Sequence, residues 1–131
     1  MLVVDASVLA TALGDDGADG QFARRRLAGR TLAAPELIYL EVLSVWRRQL
    51  ATGDLTPKRA LEAMADLADL PITVAQHLPL LARCWELRDN ATVYDAAYVA
   101  LAEVLGVPLL TADGRLGRAP GVRCAVDVLA P

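Results

Sequence analysis

Three apolar runs in this chain each carry a single carboxylate. Leu2 to Leu13 holds only Asp5, Leu37 to Trp46 only Glu41, and Ala91 to Ala102 only Asp95. A fourth acid, Asp113, follows the apolar run Val107 to Ala112. Burying an ionised carboxylate without a partner is expensive, so such groups are paired, hydrogen-bonded or bound to a metal. No lysine or arginine lies within Leu2 to Leu13, Leu37 to Trp46 or Ala91 to Ala102. The acids must therefore meet arginines from elsewhere, or meet each other around a cation.

The rest of the sequence says what kind of scaffold would bring them together. The chain has 131 residues, 55% of them hydrophobic, which suits one domain with a full core. Mean hydropathy is +0.36, yet no apolar run reaches the roughly 18 residues of a membrane span. The start lacks the basic region of a signal peptide, so the expectation is a cytoplasmic protein with no membrane partner. Cys84 and Cys124 show no Cys-x-x-Cys spacing and read as free thiols.

Strand and helix signals alternate. Leu2 to Val4, Thr31 to Ala34, Ile72 to Val74, Val107 to Thr111 and Val122 to Asp127 read as strands. Ala6 to Leu13, Gln21 to Ala28, Glu36 to Ala51, Pro57 to Leu70, Leu78 to Arg88 and Val93 to Leu105 read as helices. Asp15 to Gly20 reads as a loop, and Thr56 and Thr92 as N-caps. This alternation predicts a single α/β domain spanning residues 1–131, with a mainly parallel central sheet. Ligands of such sheets bind beyond the C-terminal ends of the strands, where strands end and following helices begin. Asp5, Glu41, Asp95 and Asp113 all fall at such points and can converge there.

Four carboxylates without histidine or cysteine suit a hard cation, Mg²⁺ or Mn²⁺, better than zinc. The usual chemistry of such a centre is phosphodiester hydrolysis. Each acid has a plainer reading as well. Asp5 and Asp113 fit helix caps, and Thr92-x-x-Asp95 fits a capping box. Glu41 is harder to explain that way, because of its helix neighbours Leu37, Ile38, Ser44 and Val45 all but Ser44 are apolar. Ser7 and Thr111 are placed to hold carboxylates, or equally to be ordinary turn hydroxyls. His77 has no second histidine to work with, which speaks against a metal-free acid–base nuclease.

Thirteen basic against sixteen acidic residues give a formal charge of −3; without the four site acids the balance becomes +1. Twelve of the thirteen basic residues are arginines, which bind phosphate well. Arg24, Arg25 and Arg26 are candidate phosphate contacts near the cleft mouth, or simply a solvated helix face. Trp46 and Trp85 are candidates for either an interface or the core.

The segments VVDASVLA, ELIYLEVLSV and TVYDAAYVALAEVLGVPLLTADGRL resemble the PIN-domain family, and within it the VapC-type toxins of toxin–antitoxin pairs. The resemblance implies a three-layer α/β/α PIN fold and a metal-dependent endoribonuclease. It implies Asp5, Glu41, Asp95 and Asp113 as the catalytic Mg²⁺ (or Mn²⁺) site, with Ser7 and Thr111 in support. It further implies a homodimer and a VapB-like antitoxin that blocks the site and carries the pair to operator DNA. The implied substrate is RNA, with structured RNA such as tRNA expected, and arrest of translation as the result. A phosphatase with its nucleophile after strand one would need an acid where Ser7 stands. A phospho-receiver would need an acidic pair near Asp5 and a late lysine, and the sole lysine is Lys58. The remaining alternative is a non-catalytic module whose acidic pocket docks a partner's arginine.

Overall fold

The computed structural model describes residues 1–130. Five strands form one sheet: β1 Leu2–Val4, β2 Leu32–Pro35, β3 Ile72–Ala75, β4 Leu109–Thr111 and β5 Val126–Val128. Their order is β3-β2-β1-β4-β5 and every pairing is parallel. Six helices connect them: α1 Ala6–Gly14, α2 Ala18–Leu27, α3 Ile38–Thr52, α4 Pro57–Asp69, α5 Leu81–Glu86 and α6 Val93–Leu105.

Layering follows from the strand order. The chain moves outward from β1 through β2 to β3, then returns past β1 to β4. Right-handed crossovers therefore put α1 to α4 on one face and α5 with α6 on the other. The packing agrees, since α1 touches α2, α3 and α4, while α6 touches α5 and lies across β1, β2 and β4. Residues 96 to 102 of α6 are all buried, and its alanines let the helix lie close to the sheet. The order reverses between β1 and β4, so the ligand crevice of the fold opens beyond the ends of those two strands.

Several boundaries differ from the sequence expectation, each for a local reason. Helix α2 begins at Ala18, taking in residues assigned to a loop. Gly20 is not a breaker there: a Cβ at that position would overlap the Asp15 carbonyl, so the glycine permits close approach. Helix α3 begins at Ile38 instead of Glu36. The Glu36 N–H still donates to Ala75 O at 3.0 Å, extending the β2–β3 ladder, and the Leu37 N–H donates to His77 Nε2 at 3.1 Å. That bond gives His77 a structural role.

The helix expected over Leu78 to Arg88 is a 3₁₀ turn, Leu78–Leu80, followed by the short α5. Strand β4 starts at Leu109 because the Val107 N–H turns back to Ala102 O and Pro108 has no N–H. Strand β5 starts later than expected, since the Arg123 N–H is taken by Glu103 Oε2 at 2.8 Å. Gly53 and Gly106 end α3 and α6 with φ of 83° and 65°, values that glycine adopts without strain.

Candidate active site

Asp5 leaves the end of β1 with its N–H still bonded to Leu110 O at 2.9 Å. Its residue surface is only 8% exposed. Although Asp5 occupies the N-cap position of α1, its side chain makes no capping bond. Instead Oδ2 accepts from Thr111 Oγ1 at 2.6 Å and from Ser7 Oγ at 3.1 Å. Each hydroxyl is itself oriented by an amide. Ser7 Oγ accepts from the Ala112 N–H at 3.3 Å, and Thr111 Oγ1 from the Asp113 N–H at 3.1 Å. With a lone pair of each oxygen engaged, the single hydroxyl proton is directed at the carboxylate. The ends of β1 and β4 are thereby stitched together around Asp5.

Glu41 lies in the first turn of α3. Its Oε1 accepts from the phenol of Tyr98 at 2.7 Å. Tyr98 belongs to α6, so this bond joins helices of opposite layers. Burial, opposed by the Tyr98 bond and reinforced by the charges of Asp5 and Asp95, pushes the Glu41 carboxyl above its usual range. Burial, and then the Glu41 bond, push the Tyr98 phenol strongly upward, so it remains a donor.

Asp95 lies in the first turn of α6. Thr92 Oγ1 accepts from its backbone N–H at 3.1 Å, so the cap uses the main chain of Asp95. Its carboxyl is raised by burial first and by the Asp5 charge second. Asp5, Glu41 and Asp95 thus press on one another, and no arginine or lysine pairs with any of them among the described residues.

Asp113 behaves differently. It accepts from the Arg115 N–H at 2.9 Å and from Arg115 Nε and Nη2 at 3.2 and 3.1 Å. The Arg115 side chain holds its carboxyl below the usual range. The helix-cap reading fails for Asp5, and the N-cap of the 3₁₀ turn Leu116–Arg118 is Arg115, so Asp113 braces the turn before it and does not cap a helix.

All four acids line one open cleft of about 590 Å³, together with Ser7, Ser44, Arg48 and Arg115. As their side chains stand, no three His, Cys, Asp or Glu residues among the described ones are grouped to hold a single ion. Here Tyr98 holds the Glu41 carboxylate and Arg115 holds that of Asp113. A larger hollow of about 750 Å³ lies between the end of α1 and the start of α4. There Asp16 is already matched by Arg59 through three bonds of 3.0 to 3.3 Å.

Arg24, Arg25 and Arg26 do not line the acidic cleft. Arg24 Nη1 donates to Ala12 O and Asp15 O at 2.9 and 2.8 Å, closing the end of α1. Arg26 lies 3.9 Å from Asp127. Trp46 is buried and donates to Ala10 O at 3.1 Å, while Trp85 is 65% exposed beneath the Arg88 guanidinium. The sequence assigned no site role to Tyr98 or Arg115, and offered Arg48 only as one of the arginines able to form a local basic patch. Helical spacing carried a signal for Tyr98 and Arg48: Tyr98 follows Asp95 by three residues, and Arg48 follows Glu41 by seven.

A parallel sheet of order β3-β2-β1-β4-β5 with helices on both faces defines a class of fold, and known proteins share it. The PIN domain family model matches residues 2–122. The chain belongs to the PIN-domain family, in its VapC ribonuclease branch. Ribonuclease VapC1 of Mycobacterium tuberculosis is 39% identical over 128 residues, covering 97% of this chain and 96% of that protein. Ribonuclease VapC12 of the same organism is 35% identical over 130 residues, covering 99% and 100%. Among solved structures, M. tuberculosis VapC20, described as a Sarcin-Ricin loop cleaving toxin, superposes with a TM-score of 0.70 at 17% identity, covering 94% of this chain and 97% of that one. VapBC2 from Rickettsia felis, bound to a DNA fragment from their promoter, gives 0.66 at 12% identity, covering 98% of each chain. These last two bear on the fold.

Proposed function

We propose that the protein is a divalent-metal-dependent endoribonuclease acting as the toxin of a type II toxin–antitoxin pair. The observation that carries this reading is the state of Asp5. A nearly buried carboxylate, fixed by two hydroxyl donors and without a basic partner among the described residues, stands among further carboxylates. A hard oxygen-ligated cation is what such a donor set fits. The names of its VapC relatives support ribonuclease chemistry.

Asp5 and Asp95 are assigned as direct holders of Mg²⁺ or Mn²⁺, with Glu41 beside them and Asp113 acting through water. Such an ion supplies an activated water and charge stabilisation at the leaving oxygen. The chain's own residues do the positioning. Ser7 and Thr111 fix the Asp5 carboxylate, and Tyr98 fixes Glu41 from the opposite layer. Asp113, which Arg115 now holds by both oxygens, would contribute to holding the ion through water. The substrate assigned is structured RNA such as tRNA, cleaved internally so that translation stops. Its partners are a VapB-like antitoxin, which brings the pair to operator DNA, and a second copy of this chain. Two neighbours of the same fold, described as a toxin–antitoxin complex and as VapBC2 on promoter DNA, support the antitoxin part of that assignment.

The test is to incubate purified protein with total RNA and Mn²⁺ or Mg²⁺, and to sequence the new ends. Cleavage should require metal and disappear in Asp5→Asn and Asp95→Asn. A folded wild-type protein that cuts no RNA at millimolar metal would sink the ribonuclease reading and leave an arginine-docking module in its place.

A further inference from the structure

The cleft contains an answer to a problem that its own charge creates. RNA carries a negative charge at every phosphate, and four carboxylates repel it wherever a cation does not intervene. Two arginines line the same cleft, Arg115 and Arg48, but only one has its guanidinium free. Arg115 already places Nε and Nη2 on Asp113. Arg48 is exposed and makes neither an ion pair nor a side-chain hydrogen bond among the described residues.

The position of Arg48 is fixed by helix geometry. Glu41, Ser44, Val45 and Arg48 all line the cleft, and their spacing of three, four and seven residues is one face of α3. Seven residues correspond to about 10 Å along the helix axis. Arg48 therefore sits beside the acids without touching them, where it can meet a phosphate flanking the scissile one. Its planar fork of donors suits a phosphate. The arginines favoured by sequence do not compete for this role, because Arg24 is engaged with carbonyls of α1 and none of Arg24 to Arg26 reaches the cleft.

We propose that Arg48 seats a flanking backbone phosphate of single-stranded or looped-out RNA and thereby sets how tightly substrate binds. The inference rests on the ribonuclease reading above and deepens it. Arg48 acts as a binding residue and leaves the chemical step to the acids. Its loss therefore raises KM without lowering kcat, and it removes one phosphate contact from the salt dependence.

The experiment follows cleavage of a fluorescein-labelled RNA in Mn²⁺ over a range of NaCl concentrations, for wild type, Arg48→Ala, Arg48→Lys and Arg25→Ala. Arg48→Ala is expected to raise KM about tenfold, with kcat within about twofold of wild type. Its plot of log(kcat/KM) against log salt should be shallower by about 0.7, one single-strand phosphate contact. Arg48→Lys, which keeps the charge, should retain most of the slope, and Arg25→Ala should match wild type. The same slope change should appear in anisotropy of the labelled RNA bound to Asp95→Asn protein with and without Arg48→Ala. If wild type cleaves but Arg48→Ala has the same KM and slope, the inference is wrong and the ribonuclease reading stands. A fall in kcat at unchanged KM would also overturn it. If wild type cleaves no RNA, both fall together.

Discussion

Tyr98, 1% exposed on α6, donates its phenolic proton to Glu41 Oε1 on α3 at 2.7 Å. One hydrogen bond thus connects the two helical layers at Glu41, a residue that lines the acidic cleft. It also lowers the Glu41 pKa, against burial and two neighbouring carboxylates. Tyr98→Phe keeps the ring in the core and removes this donor alone. The expected outcome is a loss of about 1–3 kcal/mol in stability, the range for depriving a partly buried charged group of its partner. Urea denaturation measures it. Unchanged stability would mean that water replaces the phenol without penalty.

Asp95 is held in a conflict that folding must overcome. Its carboxyl is raised from an ordinary 3.8 by burial and then by Asp5. Between the unfolded and folded pKa values the native state holds more protons than the unfolded chain. Stability therefore falls as pH rises through that window. Asp95→Asn removes the charge while leaving the backbone N–H that Thr92 caps. In EDTA at neutral pH it should be more stable than wild type by on the order of 1 kcal/mol, as for other substitutions that relieve active-site strain. The difference should shrink as pH drops below the usual carboxylate range. Melting curves at several pH values decide this, and a variant less stable than wild type at pH 7 would contradict it.

The lone acids in apolar runs were a legible signal because burial of an unpaired carboxylate is rare, and all four do line one cleft. The parallel α/β architecture was legible for a similar reason, since alternation of strand and helix leaves few alternatives. Strand order was not. That β4 lies beside β1 is a long-range pairing, and it is what lets Thr111 reach Asp5 across 106 residues of sequence. Arginine roles were opaque for a different reason. A long side chain can cap carbonyls, as Arg24 does, or enter a cleft, as Arg48 does, and composition is the same in both cases. The late start of β5 had the same origin, a side-chain acceptor, Glu103, taking an amide that a strand would otherwise use.

Thr111 is the hinge of the Asp5 network and is wholly buried. Its hydroxyl donates to Asp5 and accepts from the Asp113 N–H. Thr111→Val preserves shape and leaves both partners short of a bond. A destabilisation of about 1–3 kcal/mol follows from the orphaned groups. Cleavage should fall by about 10- to 100-fold, the usual consequence of loosening a group that orients a metal ligand. Denaturation and initial-rate measurements on the same preparation test both effects. Full activity in the variant would show that Ser7 alone suffices to hold Asp5.

Arg24 gives a prediction with the opposite division between stability and activity. Its Nη1 closes the end of α1 through Ala12 O and Asp15 O, and it lies outside the cleft. Arg24→Ala should therefore lower stability by about 1–2 kcal/mol, as expected for two bonds from a charged donor, one of them exposed. RNA cleavage at a temperature well below melting should remain at the wild-type rate with unchanged salt dependence. A loss of RNA affinity with unaltered stability would return Arg24 to the nucleic-acid surface.

Metal binding should be visible in stability without any reference to RNA. Folding brings Asp5, Glu41 and Asp95 into mutual repulsion, so an ion that binds only the folded cleft must stabilise the protein. At a metal concentration one hundred times the dissociation constant the gain is about 2.7 kcal/mol. Titration with Mn²⁺ or Mg²⁺ should raise the melting temperature of wild type, and EDTA should reverse the rise. Asp5→Asn retains an oxygen for Ser7 and Thr111 to address but loses the charge, so its melting temperature should stay nearly flat over the same titration. Acidification should weaken the wild-type response, because Glu41 and Asp95, with their raised pKa values, bind protons in competition with metal. A wild-type melting temperature indifferent to millimolar divalent ions would remove the cation from the site and with it the proposed hydrolytic chemistry.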